Sequence, residues 1–520
     1  MGESRGLKCV VIGAGPVGAL AALYAARRGW DVEVYDLRPD LRDASTTPLN
    51  FTKSINLALS ERGINALRAS QSPELLKSIL AETIPMHGRM IHSQDKKGAL
   101  TEASQQYDIH GQSIKAVDRG NLNSLLLDEL EGLPNVKLRF YHKLTGIDFR
   151  RRLAWLEQKG ASRRQSTVGD SPKLSDSPRP SGRPGRPDEI EIDFDLILGC
   201  DGAHSSARFH MMKFARVDFA QTYIDTLWCE FQIPPAAEGT STTPSAKDGF
   251  ATSPNHLHIW PGSDKMFIAI PSVDKSFTST LFAPYEDFLA LEDDPSKVEL
   301  FFNQNFPGAA DLIGPGEIRN QFMANPHLPL MSIKCAPHVF DSSGVILGDA
   351  AHAMVPFYGQ GMNAGLEDVR VLFSHLDSQP TSHEGRAKAL ESYNAERISD
   401  AHSINDLSLA NYWEMHVGVN STIHLLRKKI EEFLSDKFPS TGFATQYTRV
   451  SFSNQRYSEV VKVVARQKQI LLQGMLGSVL LPAAGLAVWM ASRWHRGGSA
   501  PDLISGARFA LDRVARVLRW

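Results

Sequence analysis

Short, unbroken apolar runs alternate with longer helical segments at the start of the chain. Cys9-Val10-Val11-Ile12 is followed by a Gly-rich turn and an Ala/Leu-rich stretch to about Arg28, and Val32-Glu33-Val34-Tyr35 then stops at Asp36. This order predicts a strand–helix–strand unit whose parallel strands are buried on both faces. Phe194 to Leu198 and Val345 to Leu347 are further runs of this kind, each followed by a turn of glycine and aspartate. Residues 50–70 are expected to form a loop and then a helix, Arg119 opens a helical run, and Val136 to Tyr141 is a predicted strand. From about 217 to 333 the pattern becomes alternating, as in LWCEFQI, HLHIWPG, KMFIAIPS and FTSTLF. Period-two alternation predicts a mostly antiparallel sheet with one face over a cavity. Residues 385–465 are largely helical with mixed charge.

The predicted fold class is therefore α/β. It combines a Rossmann-like dinucleotide-binding domain, a mostly antiparallel β substrate domain, a C-terminal helical region and a transmembrane helix. The first domain takes residues 1–157, 189–216 and 335–384. Residues 158–188 are rich in Ser, Pro, Gly and Arg, and are expected to be a disordered insertion, since they have little apolar surface to bury. Residues 217–334 form the substrate domain and 385–467 the helical region. Ile470 to Ser492 has 23 residues without a charge, bracketed by Lys468 and Arg493, so 468–493 is read as a membrane anchor. The last 28 residues carry six Arg against two Asp. That suits an amphipathic segment on an anionic lipid surface and equally a solvated basic tail.

Composition narrows the classes. The 520 residues are 42% hydrophobic and 22% charged with net charge −2, and no domain-sized basic excess points to nucleic acid. Cys9, Cys200, Cys229 and Cys335 are far apart, so free thiols and no metal site are expected. Seven residues precede the first strand, among them Glu3 and Arg5, and no targeting segment is expected there.

Chemistry enters at Gly13-Ala14-Gly15-Pro16-Val17-Gly18. Gly13 allows the tight turn, Gly15 lets the backbone approach a pyrophosphate, and Gly18 packs helix on strand. Asp36, 18 residues beyond Gly18, is placed to meet a ribose hydroxyl. The motif alone leaves NAD and FAD both open. A second ligand-holding layout is GVILGDAAHAMVPFYGQGMNAGLED at 344–368: a strand, the acidic turn at Asp349, a Gly loop with Gly359 and Gly361, and a helix from about Asn363.

GAGPVG at 13–18, CDGAHSSAR at 200–208 and GDAAHAMVPFYGQGMN at 348–363 together resemble the FAD-dependent aromatic hydroxylases of the para-hydroxybenzoate hydroxylase type. KSINLALSERG at 53–63, IPMHGRMIHS at 84–93, HLHIWPG at 256–262 and KSFTSTLF at 275–282 narrow the resemblance to the branch acting on L-kynurenine. The resemblance implies bound FAD, with NADPH and O2 as co-substrates, and hydroxylation ortho to the ring amino group through a C4a-hydroperoxyflavin. It also implies tethering to the mitochondrial outer membrane by the C-terminal anchor, with the catalytic part facing the cytosol. It places Val17, Tyr35, Asp36, Leu37 and Arg38 along the adenosine half of FAD. Ala58, Arg119 and Leu144 touch the same cofactor, and Asp201 and Asp349 serve its polar parts. Gly361, Met362 and Asn363 face the flavin ring. For substrate it places Arg89, with Tyr107, Asn411 and Tyr447 as further contacts. A planar guanidinium matches an amino-acid carboxylate bidentately. Pro356 and Phe357 are candidates for a wall that keeps water from the reacting centre, and His352 is read as structural. A lipid epoxidase and a non-catalytic flavin-binding scaffold are the rival readings; Arg89 argues against the first, and the intact cofactor motifs against the second.

Overall fold

The computed structural model describes residues 6–43, 56–158, 179–180, 189–236, 243–314, 316–417 and 422–495. Residues 159–178 and 181–188 of the expected insertion, and 496–520 of the basic tail, lie outside them. The chain divides into two units, Met1–Ser458 and Glu459–Trp520.

In the first unit, Lys8–Ile12 is buried at every position and pairs in parallel with Asp31–Tyr35 on one side and Leu196–Gly199 on the other. Gly344–Ile346 and Val136–Arg139 extend this sheet in parallel, and Val339–Phe340 caps one edge, giving six strands. The helices Pro16–Arg27, Arg119–Glu131 and Gly361–Asp377 pack on one face with Leu23, Leu126, Val369 and Phe373 in their shared core. On the other face Val10, Ile12 and Ile197 pack with Leu144, Leu156 and Ile192, and this two-sided cover explains the continuous apolar strands.

The seven-stranded sheet covers what alternation predicted and more. Its order runs Leu328–Ala336, Asp218–Ile233, Phe277–Ala283, Met266–Pro271, His256–Pro261, Gly88–Gln94, Leu100–Gln106. The last two strands come from inside the range 1–157, so that range is not one contiguous domain. Gly88–Gln94 joins by pairing in parallel with His256–Pro261, more than 160 residues away, and no local pattern announces such a partner. The stretch 50–70 also holds a short strand, Asn56–Leu59, ahead of the helix Glu61–Arg68.

The second unit is described through the greater part of the helix Tyr457–His495. Among the described residues no helix is long and apolar enough to cross a membrane, so the expected transmembrane helix at 468–493 is not borne out there. The side chains of 475–484, 486–487, 490–491 and 493–495 lie outside those described. The four cysteines are free, as expected.

Candidate cofactor and substrate site

The Gly-rich turn has little freedom. Gly13 has φ +100°, and a Cβ there would stand 2.4 Å from the Cys200 carbonyl oxygen. A Cβ on Gly15, by contrast, would meet nothing within 4 Å. The helix behind it starts at Pro16 with no side-chain cap, so its N-terminal dipole faces that open space. Asp36 is buried and binds the turn itself: Oδ2 accepts the Ala14 N–H at 2.7 Å, and Oδ1 accepts the Arg38 backbone N–H at 2.7 Å and its Nε at 3.1 Å. Leu37 is exposed. Tyr35 and Leu144 are not placed to line a cofactor with their side chains. Tyr35 is in the core with its hydroxyl on Glu33 at 2.7 Å, and Leu144 is buried among Ile147 and Leu156.

Three segments converge on this turn. Val17 lies against Gly348 and Gly365, and Asn123 donates to the Ala14 carbonyl at 3.0 Å. Arg119, one helical turn before Asn123, is on the same side of its helix. Arg119 and Asp349 are both exposed. Their surfaces are open, yet protein atoms crowd the Arg119 guanidinium from several sides; that desolvation lowers its pKa, the Asp349 carboxylate acts to raise it, and the two groups share one field. Open space at Gly15, a helix N-terminus, a cation and a carboxylate together fit the pyrophosphate and hydroxyl groups of FAD.

Asp201 is engaged by its own loop: Oδ1 accepts from the Ser205 hydroxyl at 2.5 Å, and Oδ2 from the Ser206 and Ala207 N–H groups. Arg208 ties this loop to the acidic turn by donating to the carbonyls of Ala350 and Ala203, each at 2.7 Å. Asn363 is fully buried, with Oδ1 accepting the Ser60 N–H at 2.8 Å and Nδ2 donating to Ala58 and Gly359 carbonyls. Its side chain fastens the loop, and the helix begins beside it at Gly361 and Met362 with no side-chain cap.

The substrate candidates assemble around Arg89, half-buried on the seven-stranded sheet. Its guanidinium carbon lies 5.2 Å from the Tyr447 ring centre and 5.8 Å from that of Tyr107, and these rings stack at 4.7 Å. Tyr358 stacks on Tyr447 from the loop side at 5.8 Å. Burial pushes both the Tyr107 and Tyr447 hydroxyls up, with Arg89 acting against it. Asn411 donates to the Phe357 carbonyl at 2.7 Å, so it positions the wall. Phe357 packs on Tyr412 and Phe282, with centroids 4.5 and 5.0 Å away, in a cluster with Ile91, Ile259 and Met266. Pro356 begins the short 3-10 turn that carries it. A separate surface hollow of about 440 Å³, bounded by Tyr223, Tyr285 and His327, contains none of the predicted residues.

A buried charge network escaped the sequence reading. Arg62 and Arg397 each bind Glu367 at 2.9 Å, and Arg397 also binds Asp368. Asp368 accepts from the Gly348 N–H at 2.8 Å and from His352 Nε2 at 2.6 Å. Burial acts to raise the Asp368 pKa, but His352 and Arg397 outweigh it and hold the carboxyl well below its usual range. The network bears the acidic turn from behind, and His352 is structural as read. Adjacent acids in an apolar helix, Glu367-Asp368, were the available signal.

The FAD binding domain family matches residues 7–408. Kynurenine 3-monooxygenase of Aspergillus clavatus is 56% identical over 493 residues, 93% of this chain and 91% of that protein. The protein of the same name from Neurospora crassa is 55% identical over 514 residues, 96% of each. Among solved structures, Pseudomonas aeruginosa PqsL in complex with 2-aminobenzoylacetate superposes with TM-score 0.59 at 17% identity, covering 79% of this chain and 97% of that one. Tetrameric 2-methyl-3-hydroxypyridine-5-carboxylic acid oxygenase superposes with TM-score 0.58 at 16% identity, covering 81% and 96%. These two share the fold. A site built for a dinucleotide, a guanidinium set among tyrosines and identity above one half over nearly the whole length agree: the chain belongs to the FAD binding domain family and, within it, to the kynurenine 3-monooxygenases.

Proposed function

We propose that this chain hydroxylates L-kynurenine to 3-hydroxy-L-kynurenine, consuming one NADPH, one proton and one O2 and releasing NADP+ and water. The observation that carries this reading is Arg89 beside the stacked Tyr107 and Tyr447. Bound FAD supplies hydride acceptance from NADPH and activation of O2. The remaining tasks fall to the chain. Arg89 takes the amino-acid carboxylate in a charge-assisted pair. The tyrosine rings flank the substrate, while Arg119, Asp349 and the turn at Gly15 hold the cofactor. Phe357, Pro356 and the apolar cluster around them exclude water, which protects the reactive oxygen from side reactions. The ring's own amino group makes carbon 3 electron-rich, so the chain needs no strong base there. NADPH loss at 340 nm with and without L-kynurenine, with product analysis, tests the reading. Kynurenine-dependent loss matched by 3-hydroxykynurenine is expected; loss yielding only hydrogen peroxide would remove the substrate assignment.

We further propose that the C-terminal helix tethers the chain to a membrane. The uncharged 470–492 stretch, with Ile470, Leu472, Val488 and Trp489 exposed, suits a lipid contact, at the mitochondrial outer membrane with the catalytic part facing the cytosol. Vesicle flotation of the full chain against a form ending at 467 tests the contact, and protease protection on intact mitochondria tests the sidedness; flotation of both forms alike would remove the anchor.

A further inference from the structure

Glu230 lies on the strand Asp218–Ile233. Cys229, Phe231 and Ile233 enter the core formed with Phe288, Phe302 and Phe322, so Trp228, Glu230 and Gln232 point to the opposite face. The ladder carries that face straight across the sheet. Glu230 stands opposite Thr280, Thr280 opposite Ile268, Ile268 opposite Ile259, and Ile259 opposite Ile91. Arg89, two residues from Ile91, shares the face. Four strand spacings of about 4.8 Å separate Glu230 from Ile91 by about 19 Å. One amino acid held by Arg89 does not reach so far.

Thr280 is the neighbour of Glu230 across the ladder, and the charge that acts on it belongs to Arg119, on a separate element. Glu230 is only 5% exposed, and its Oε1 has no hydrogen-bond partner. Natural structures rarely leave a buried carboxyl oxygen so, and an absent ligand is one reason they do. Burial pushes this carboxyl up to about 8, with Arg119 acting against it. Arg119, on the helix Arg119–Glu131, also feels Asp349 from the acidic turn and Arg38 from beyond the second strand. The adjacent Cys229 thiol is raised by burial and then by Glu230, and stays protonated.

We infer that Glu230 is a cofactor-binding residue contributed by the substrate sheet, facing the FAD held by Arg119 and Asp349 and, once ionised, competing with it for Arg119. The inference rests on the FAD reading of the crevice. Protonated, Glu230 donates a hydrogen bond to the cofactor's polar edge. Ionised, it pairs with Arg119 and weakens the cofactor's hold. FAD affinity therefore falls as pH rises through about 8.

The test titrates apoprotein with FAD by flavin fluorescence from pH 6.5 to 9.5, for wild type, Glu230→Gln and Glu230→Leu, with the Tm of each apoprotein alongside. The wild-type Kd is expected to rise about tenfold across the range, and Glu230→Gln to keep the neutral-pH Kd while flattening that rise. Glu230→Leu is expected to bind about tenfold more weakly at pH 7 with its apoprotein Tm unchanged. A Gln variant whose Kd climbs as the wild type's does overturns the inference, and so does a Leu variant that binds FAD at full strength. If the Leu variant does not fold, the Gln profile decides alone. A wild type that binds no FAD at any pH overturns the cofactor reading itself, an outcome distinct from loss of the Glu230 effect.

Discussion

The guanidinium of Arg89 lies 5.2 Å from the ring centre of Tyr447, although 358 positions separate them in the chain. Tyr447 brings Tyr358 of the flavin-side loop into stacking contact as well, at 5.8 Å. One ring thus joins the carboxylate end of the site to the loop that presents Phe357.

Arg89→Met should leave the protein yellow and raise KM for L-kynurenine by about 10- to 100-fold, the worth of one charged hydrogen-bonded pair. Steady-state kinetics with flavin absorbance on the same sample checks this. An unchanged KM would take Arg89 out of the substrate site.

Two neighbouring glycines should behave differently. A Cβ at Gly13 would meet the Cys200 carbonyl at 2.4 Å in a left-handed backbone, so Gly13→Ala should lower Tm. A side chain at Gly15 enters open space, so Gly15→Val should fold normally and purify without colour. Asp349→Ala should also be colourless. Flavin content and melting curves on all three variants separate the two effects; fully loaded Gly15→Val protein would remove the pyrophosphate cradle.

Breaking the buried charge network should be costly. Arg397→Met leaves Asp368 and Glu367 with fewer partners in the interior, and a loss of about 3–5 kcal/mol is expected. Urea denaturation reads it directly. A loss below about 1 kcal/mol would mean the network contributes little.

Stability should also fall in mild acid. Burial holds His92 down to about 2 and His258 to about 3, and the two rings share a 2.8 Å hydrogen bond. Unfolded imidazoles titrate near pH 6.5. Above that pH neither state takes a proton; below it the unfolded chain gains protons that the folded one refuses. Stability is therefore lost as pH falls from about 6.5 towards 3, by up to about 1.4 kcal/mol per pH unit for each ring. Urea midpoints at pH 7.5, 6 and 5 should drop in that order, and less steeply for His258→Asn. Parallel midpoints would show that these rings do not govern the acid limb.

The cofactor half of the site was legible because its chemistry is local. A turn that needs Gly13, an open approach at Gly15 and an acidic turn at Asp349 are each written within a few consecutive residues. The burial of Tyr35 and Asn363 was not legible, because a residue's neighbour in a motif does not say which way its side chain points. Tyr35 turns to Glu33 in the core, and Asn363 spends its amide on Ala58, Gly359 and Ser60.

The sequence by itself determined the α/β class, the order of the elements and the kind of ligand, since apolar periodicity and turn chemistry depend on near neighbours alone. Only the tertiary structure decided that strands from 88–106 join the substrate sheet, that Glu367 and Asp368 are shared by Arg62, Arg397 and His352, and that Glu230 is buried within the field of Arg119. Each of these is a pairing between distant segments. The free energy that selects it comes from burial and charge neutralisation upon packing, which no short window of residues contains.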